Sequence, residues 1–185
     1  MFLLRHGQSF FNLHFTQTKR DPGIEDPELT PLGHAQARDA AARLAAQGVI
    51  TRIIVSPYKR ALQTAEPIRA LCRVPLEIRH EVRDRTAFTC DIGSSPAHLA
   101  ATFPEHDFSH LPARWWHDTT ESEAETEARA SAFRTDLAAR PDHATTLLVS
   151  HWGFILALTG KSLNNGELHD YDPRSTPPAS LVWRP

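Results

Sequence analysis

Phe2-Leu3-Leu4-Arg5-His6-Gly7 is a short apolar run that stops abruptly at a guanidinium, an imidazole and a glycine. An apolar run of this length predicts a buried strand, and in open α/β sheets the C-terminal ends of the strands are where ligands sit. Gly7 lets the backbone turn tightly beside such a ligand. Arginine and histidine together suggest a phosphate site. A lone tripeptide is equally well read as the polar end of an edge strand, so matching groups elsewhere in the chain must decide.

The rest of the chain repeats the pattern. Gln8 to Glu28 is polar, is broken by Pro22, Gly23 and Pro27, and reads as a long loop over the site. Thr30 as N-cap and Pro31 at the first helical position open a helix whose alanine and leucine stripe runs to Gly48. Arg52-Ile53-Ile54-Val55 is a second buried strand, followed by a helix over Ala61 to Leu71. Val74 to Ile78 is a weaker strand. A loop-rich stretch follows, with a short helix from His98 to Phe103 and with Trp115-Trp116 at its end. Glu121 to Arg140 reads as a long helix, Thr145 to Ser150 as a fourth parallel strand, and Gly153 to Thr159 as a helix stopped by Gly160. The tail offers edge strands near Leu168 to Tyr171 and Ser180 to Trp183.

Strand followed by helix, repeated, predicts an α/β fold: a mostly parallel sheet with right-handed crossovers and strand ends along one edge. The residues there are Arg5 and His6 after strand one, Lys59-Arg60 after strand two, Glu81 after strand three and Ser150-His151 after strand four. Phosphoryl transfer through an imidazole needs this inventory. Arg5 and Arg60 grip phosphoryl oxygens and stabilise transition-state charge, and their proximity keeps His6 neutral and nucleophilic. His151 adds a donor, and Glu81 protonates the leaving oxygen and then activates water. No metal or other cofactor is required.

The ordered blocks are similar to those of the histidine phosphatase, or phosphoglycerate mutase-like, superfamily, over nearly the whole chain. Arg5-His6-Gly7-Gln8-Ser9 with Asn12 resembles its opening signature. Leu29-Thr30-Pro31-Leu32-Gly33 with Gln36-Ala37 resembles the second block, Ser56-Pro57-Tyr58-Lys59-Arg60-Ala61-Leu62-Gln63-Thr64-Ala65 the third, and Ser150-His151 the fourth. The resemblance implies a three-layer α/β/α fold with a central mixed sheet and a partial lid at about 83–120. It also implies His6 as the phosphorylated nucleophile, phosphate contacts from Asn12 and Arg60, and His151 as the second catalytic histidine. Two features depart from the pattern. Trp152, not glycine, follows His151, and the carboxyl group is assigned to Glu81 by position, with Asp84 as the alternative or a merely solvated charge. Ser9 either orients the phosphate loop or serves as an ordinary turn hydroxyl.

The expected activity is therefore metal-independent phosphomonoester hydrolysis through phosphohistidine. Phosphoglycerate mutase-type transfer and an inactive phospholigand-binding module are the alternatives. Transfer is disfavoured because the familiar mutases carry a larger insertion and a tyrosine shortly after the carboxylate.

Composition is consistent with this picture. At 185 residues, 41% hydrophobic and 23% charged, the chain fits one domain, residues 1–185. A net charge of −2 without a basic aromatic stripe argues against nucleic acid, and no apolar stretch approaches the roughly 20 residues of a membrane span. Met1 leads straight into the first strand without a basic leader, so the expected location is the cytoplasm. Cys72 and Cys90 are expected as free thiols, and His106 and His110, between Pro104 and Pro112, as loop histidines rather than zinc ligands. The partner is a small phosphorylated substrate. An edge strand near the C-terminus offers a surface for a homodimer.

Overall fold

The computed structural model describes residues 1–183. Five strands, β1 (Phe2–Arg5), β2 (Arg52–Val55), β3 (Leu76–Ile78), β4 (Thr146–Ser150) and β5 (Leu168–Asp170), form one sheet in the order β3-β2-β4-β1-β5. All neighbours are parallel except β5, which runs antiparallel to β1. Arg5 is level with Ser150 across one pairing, and Val55 with Val149 across the next, so these strands end together.

The period of two along each strand divides the apolar residues between the two faces. Leu4, Ile53, Val55, Leu147 and Val149 face α2 (Pro31–Gln47) and α3 (Lys59–Cys72), packing with Ala41, Leu44, Leu62 and Ile68. Leu3, Ile54 and Leu148 face the other side, against Phe133 and Leu137 of α5 (Glu123–Ala139) and Phe154 and Leu158 of α6 (Trp152–Thr159). The expected layering of helices on both faces is present. Among the described residues no helix is long and apolar enough to cross a membrane.

Three segments differ from the sequence reading. The polar stretch after β1 contains a helix, α1 (Phe10–Thr18). Ser9 and Asn12 form a capping box at its start, and Phe11 stacks on Phe15 one turn later. Ser180 to Trp183 forms no strand; Leu181 and Trp183 pack instead against the apolar layer shared by α5 and α6. β3 is short because Val74 and Pro75 precede the pairing. The short helix of the loop-rich stretch is α4 (Pro96–Thr102).

The loop histidines are structural anchors: His106 Nε2 lies 2.5 Å from Glu66 Oε1, and His110 Nε2–H donates to the Ile78 carbonyl at 2.9 Å. Cys72 and Cys90 are free.

The turn after β1 is seated directly on the start of α2. A Cβ on Gly7 would stand 2.4 Å from the Gly33 carbonyl oxygen, and one on Gly33 2.1 Å from that of Gln8. Both obstacles are backbone. Gly33→Ala is therefore expected to cost about 1–3 kcal/mol and to lower the melting temperature by several degrees. Calorimetry measures this directly, and an unchanged transition would contradict so close a contact.

Candidate active site

A cavity of about 410 Å³ opens at the C-terminal ends of β1 and β4, and Arg5, His6, Arg60 and Asp84 line it. His6 follows β1, and its backbone N–H donates to the Ser150 carbonyl at 2.9 Å, which continues the sheet by one residue. Its Nδ1 lies 2.7 Å from the Gly7 carbonyl oxygen. A carbonyl only accepts, so the proton sits on Nδ1 and the lone pair on Nε2. The Nε2 atom has no protein partner among the described residues. Burial, reinforced by Arg60 and Arg5, holds this imidazole well below its ordinary pKa.

That state is measurable. Imidazole nitrogen NMR of the ligand-free protein is expected to show His6 as the neutral Nδ1–H tautomer at and below pH 6.5, the ordinary histidine value. A ring half-protonated at that pH, or one protonated on Nε2 alone, would contradict the geometry.

Arg60 enters from the first turn of α3 and is only 2% exposed. Its guanidinium donates to the Cys90 carbonyl at 2.8 Å and to Asp91 Oδ1 at 3.2 Å, and it lies 4.2 Å from the centre of the Tyr58 ring. Asp91 in turn accepts the Ala87 and Phe88 amides, and its carbonyl accepts the Tyr58 hydroxyl at 2.5 Å. Burial, with neighbouring Asp84, raises the Asp91 carboxyl to about 6. Arg5 donates to the Leu163 carbonyl at 2.7 Å, and its Nε is buried without a partner. Burial lowers Arg5 to about 10.

His151 is the N-cap residue of α6 and is completely buried. Its ring centre is 5.1 Å from that of His6 and 5.1 Å from that of Tyr58. Among the described residues neither ring nitrogen has a hydrogen-bond partner. Burial, then Arg60, His6 and Arg5, push its pKa well down. An unpartnered buried imidazole is costly, and a bound oxyanion is the kind of group that resolves it.

The two candidate carboxyl groups lie in different places. Glu81 lies in a 3₁₀ turn, His80–Val82, with its side chain 43% exposed and 3.5 Å from Arg79. It lines a different, open cavity beside β3. Against the upward push of partial burial, its own backbone amide and Arg79 hold its carboxyl below the ordinary value. Asp84 occupies the cavity instead, with Oδ2 4.0 Å from Arg60 and 4.0 Å from His151 Nδ1. Its Oδ1 accepts the Arg85 amide and the Gly153 amide, each at 3.0 Å. Burial raises its pKa although Arg60 and Arg5 pull the other way.

Arg129 of α5 sets this register. It donates to the carbonyls of Glu81 and Arg83 at 2.8 Å each while paired with buried Glu121 at 2.7 Å. A Cβ at position 153 would stand 2.7 Å from Asp84 Oδ1, which explains glycine one place after Trp152.

Asn12 and Ser9 line the cavity too. The Asn12 amide oxygen accepts the Ser9 amide and hydroxyl and Asn165 Nδ2, at 3.1, 2.9 and 3.1 Å, leaving its own amide nitrogen as the free donor. Ser9 is committed to capping α1, so its hydroxyl holds Asn12 in place. Sequence reasoning missed Asn165, which also donates to the His6 carbonyl at 3.1 Å, and missed Asp91 as the support of Arg60. Neither carries a local signal.

The family model of the histidine phosphatase superfamily (branch 1) matches residues 1–183. A probable phosphoglycerate mutase GpmB of Proteus mirabilis is 31% identical over 159 residues, 82% of this chain and 68% of that one. A bifunctional protein of Mycobacterium tuberculosis is 30% identical over 172 residues, and the match spans 90% of this chain but only 44% of its relative. Among solved structures, a mycobacterial glucosyl-3-phosphoglycerate phosphatase with VO3 superposes with a TM-score of 0.62 at 23% identity, covering 91% of this chain and 88% of that one. A phosphoserine phosphatase of Entamoeba histolytica in complex with 3-phosphoglyceric acid gives 0.59 at 21% identity, over 90% and 87%. At such identities the likeness is one of fold.

Proposed function

Because this chain belongs to the histidine phosphatase superfamily, we propose that it hydrolyses phosphomonoesters through a phosphohistidine formed on His6. The observation that carries the reading is the His6 imidazole, fixed by Gly7 with a free Nε2 lone pair in a cavity that two guanidiniums share. Solved relatives that act on small phosphorylated compounds, among them glucosyl-3-phosphoglycerate and phosphoserine phosphatases, support it.

In the first half-reaction the Nε2 lone pair attacks phosphorus, a P–N bond forms and the P–O bond to the alcohol breaks. Asp84, whose carboxyl burial raises above its ordinary value, gives a proton to the departing oxygen when it is protonated. In the second, the Asp84 carboxylate takes a proton from water, the water oxygen attacks phosphorus and the P–N bond breaks. Phosphate leaves, and imidazole and carboxylic acid are restored. Arg5 and Arg60 balance the charge spread over the phosphoryl oxygens, the Asn12 amide donates to them, and His151 supplies a further hydrogen bond. The guanidiniums do the electrostatic work, so the scheme needs no metal.

The test is release of inorganic phosphate from para-nitrophenyl phosphate in chelator, against the His6→Ala protein. Turnover lost in the variant supports the scheme, and equal turnover overturns it. Because one relative is named a probable phosphoglycerate mutase, 3-phosphoglycerate with trace bisphosphate primer is the second arm. Phosphate release is expected there; rapid isomerisation without it would favour transfer.

A further inference from the structure

Beyond the phosphate cradle, the cavity wall is built from aromatic rings. Phe15 and Phe88 line one part, with ring centres 5.2 Å apart, edge against face. Phe11 packs beneath them, 5.3 Å from Phe15 and 5.4 Å from Phe88. Trp152 and Trp183 line another part, 6.1 Å apart. All but Phe11 are half-buried, so these rings present apolar surface to the cavity, Trp183 while also packing on the apolar layer of α5 and α6.

The polar atoms of the tryptophans are already used. Trp152 Nε1 donates to Ser162 Oγ at 2.8 Å, and Trp183 Nε1 to Glu127 Oε1 at 3.2 Å. What remains for a ligand is ring surface. The same turn that supplies Phe88 holds Arg60 through Cys90 and Asp91, so the phosphate grip and the aromatic wall are one rigid unit.

Cations that would select a second anionic group are few. Besides Arg5 and Arg60, the lining contains Arg85 and Lys19. Arg85 donates to the Glu121 carbonyl at 2.8 Å and sits 5.3 Å from the Trp183 ring centre. Lys19 is exposed at the rim, 5.8 Å from the Phe15 ring centre. A volume of about 410 Å³ also lies in the range of pockets that enclose drug-sized ligands, well beyond a three-carbon acid.

We propose that the substrate is a phosphomonoester whose alcohol carries a flat aromatic ring system, with the ring packed between the Phe15–Phe88 and Trp152–Trp183 walls. The substitution of tryptophan for glycine after His151 then has a purpose: it supplies one of these walls. This inference rests on the phosphohydrolase reading and names its substrate class. Aromatic contacts of this kind are expected to give about tenfold in apparent affinity.

Alcohols of similar leaving-group acidity make the test clean: 2-naphthylmethyl phosphate against propyl phosphate, with wild type, Trp152→Leu, Trp183→Leu and Phe15→Leu. The wild type is expected to favour the naphthyl ester by about tenfold in kcat/KM. The variants are expected to lose most of that preference through KM while turning over the propyl ester within about twofold of wild type. Equal kcat/KM for the two esters, or variants that lose both equally, would overturn the proposal. Binding of the corresponding phosphonates, measured by calorimetry, separates the two levels of inference. A protein that hydrolyses neither ester but binds naphthylmethylphosphonate about tenfold more tightly than propylphosphonate would sink the hydrolase reading and keep the ligand class. Equal affinities would sink the ligand class.

Discussion

Asp84→Asn is expected to lower kcat on alkyl phosphates by about 10²–10⁴-fold, whereas Glu81→Gln stays within about twofold of the wild type. Asparagine keeps an oxygen for the Arg85 and Gly153 amides, so the loop retains its shape and only the proton is removed. The leaving group supplies the internal control. An aryl phosphate departs without a donated proton, so the first step of Asp84→Asn is expected to survive with para-nitrophenyl phosphate. The second step, which needs a base for water, is not. The variant is therefore expected to release a burst of nitrophenol and then stall. Loss of activity in Glu81→Gln with an unimpaired Asp84→Asn would restore the assignment by sequence position.

His6→Ala is expected to reduce turnover by on the order of 10⁴-fold or more, because no other group in the cavity offers an unprotonated nitrogen. His151 is the nearest imidazole, but it is completely buried, and in this scheme it donates to the phosphoryl oxygens instead of attacking phosphorus. Arg5 and Arg60 remain in place in this variant, so inorganic phosphate is expected to bind with an affinity within about tenfold of wild type. Steady-state kinetics and calorimetry on the same preparation check both halves. Turnover that survives the substitution would show that water attacks the substrate directly.

Much of this arrangement is legible in the sequence because its causes are local. The apolar run Phe2-Leu3-Leu4 fixes a buried strand, and Thr30-Pro31 fixes the start of α2. Two more buried strands then carry Arg60 and His151 to the edge where Arg5 and His6 end.

The carboxylate is not legible in that way. Counting from the end of β3 reaches Glu81, but a 3₁₀ turn rotates it outward, and the register of the next three residues is set by Arg129, more than forty residues away. The space for Asp84 is made by the missing side chain at Gly153, on a different element again. Long-range contacts of this type leave no periodicity in the segment they position.

The helix α1 was within reach. Ser9 and Asn12 have the spacing of a capping box, and the breakers Pro22 and Gly23 lie beyond the end of the helix. The tail is the converse case. Ser180 to Trp183 has the composition of a strand, yet β5 already covers that edge of β1, and the apolar residues of the tail are buried against α5 and α6 instead.

Whether the His6 ring carries the phosphoryl group between the two half-reactions separates covalent transfer from direct attack by water. The direct measurement is rapid-quench labelling of the Asp84→Asn protein with a phosphorus-32 aryl phosphate, followed by peptide mapping. A near-stoichiometric label, labile in acid and stable in alkali, on the peptide containing His6 is the predicted result. Absence of label during continued turnover, or label on another residue, would contradict the account.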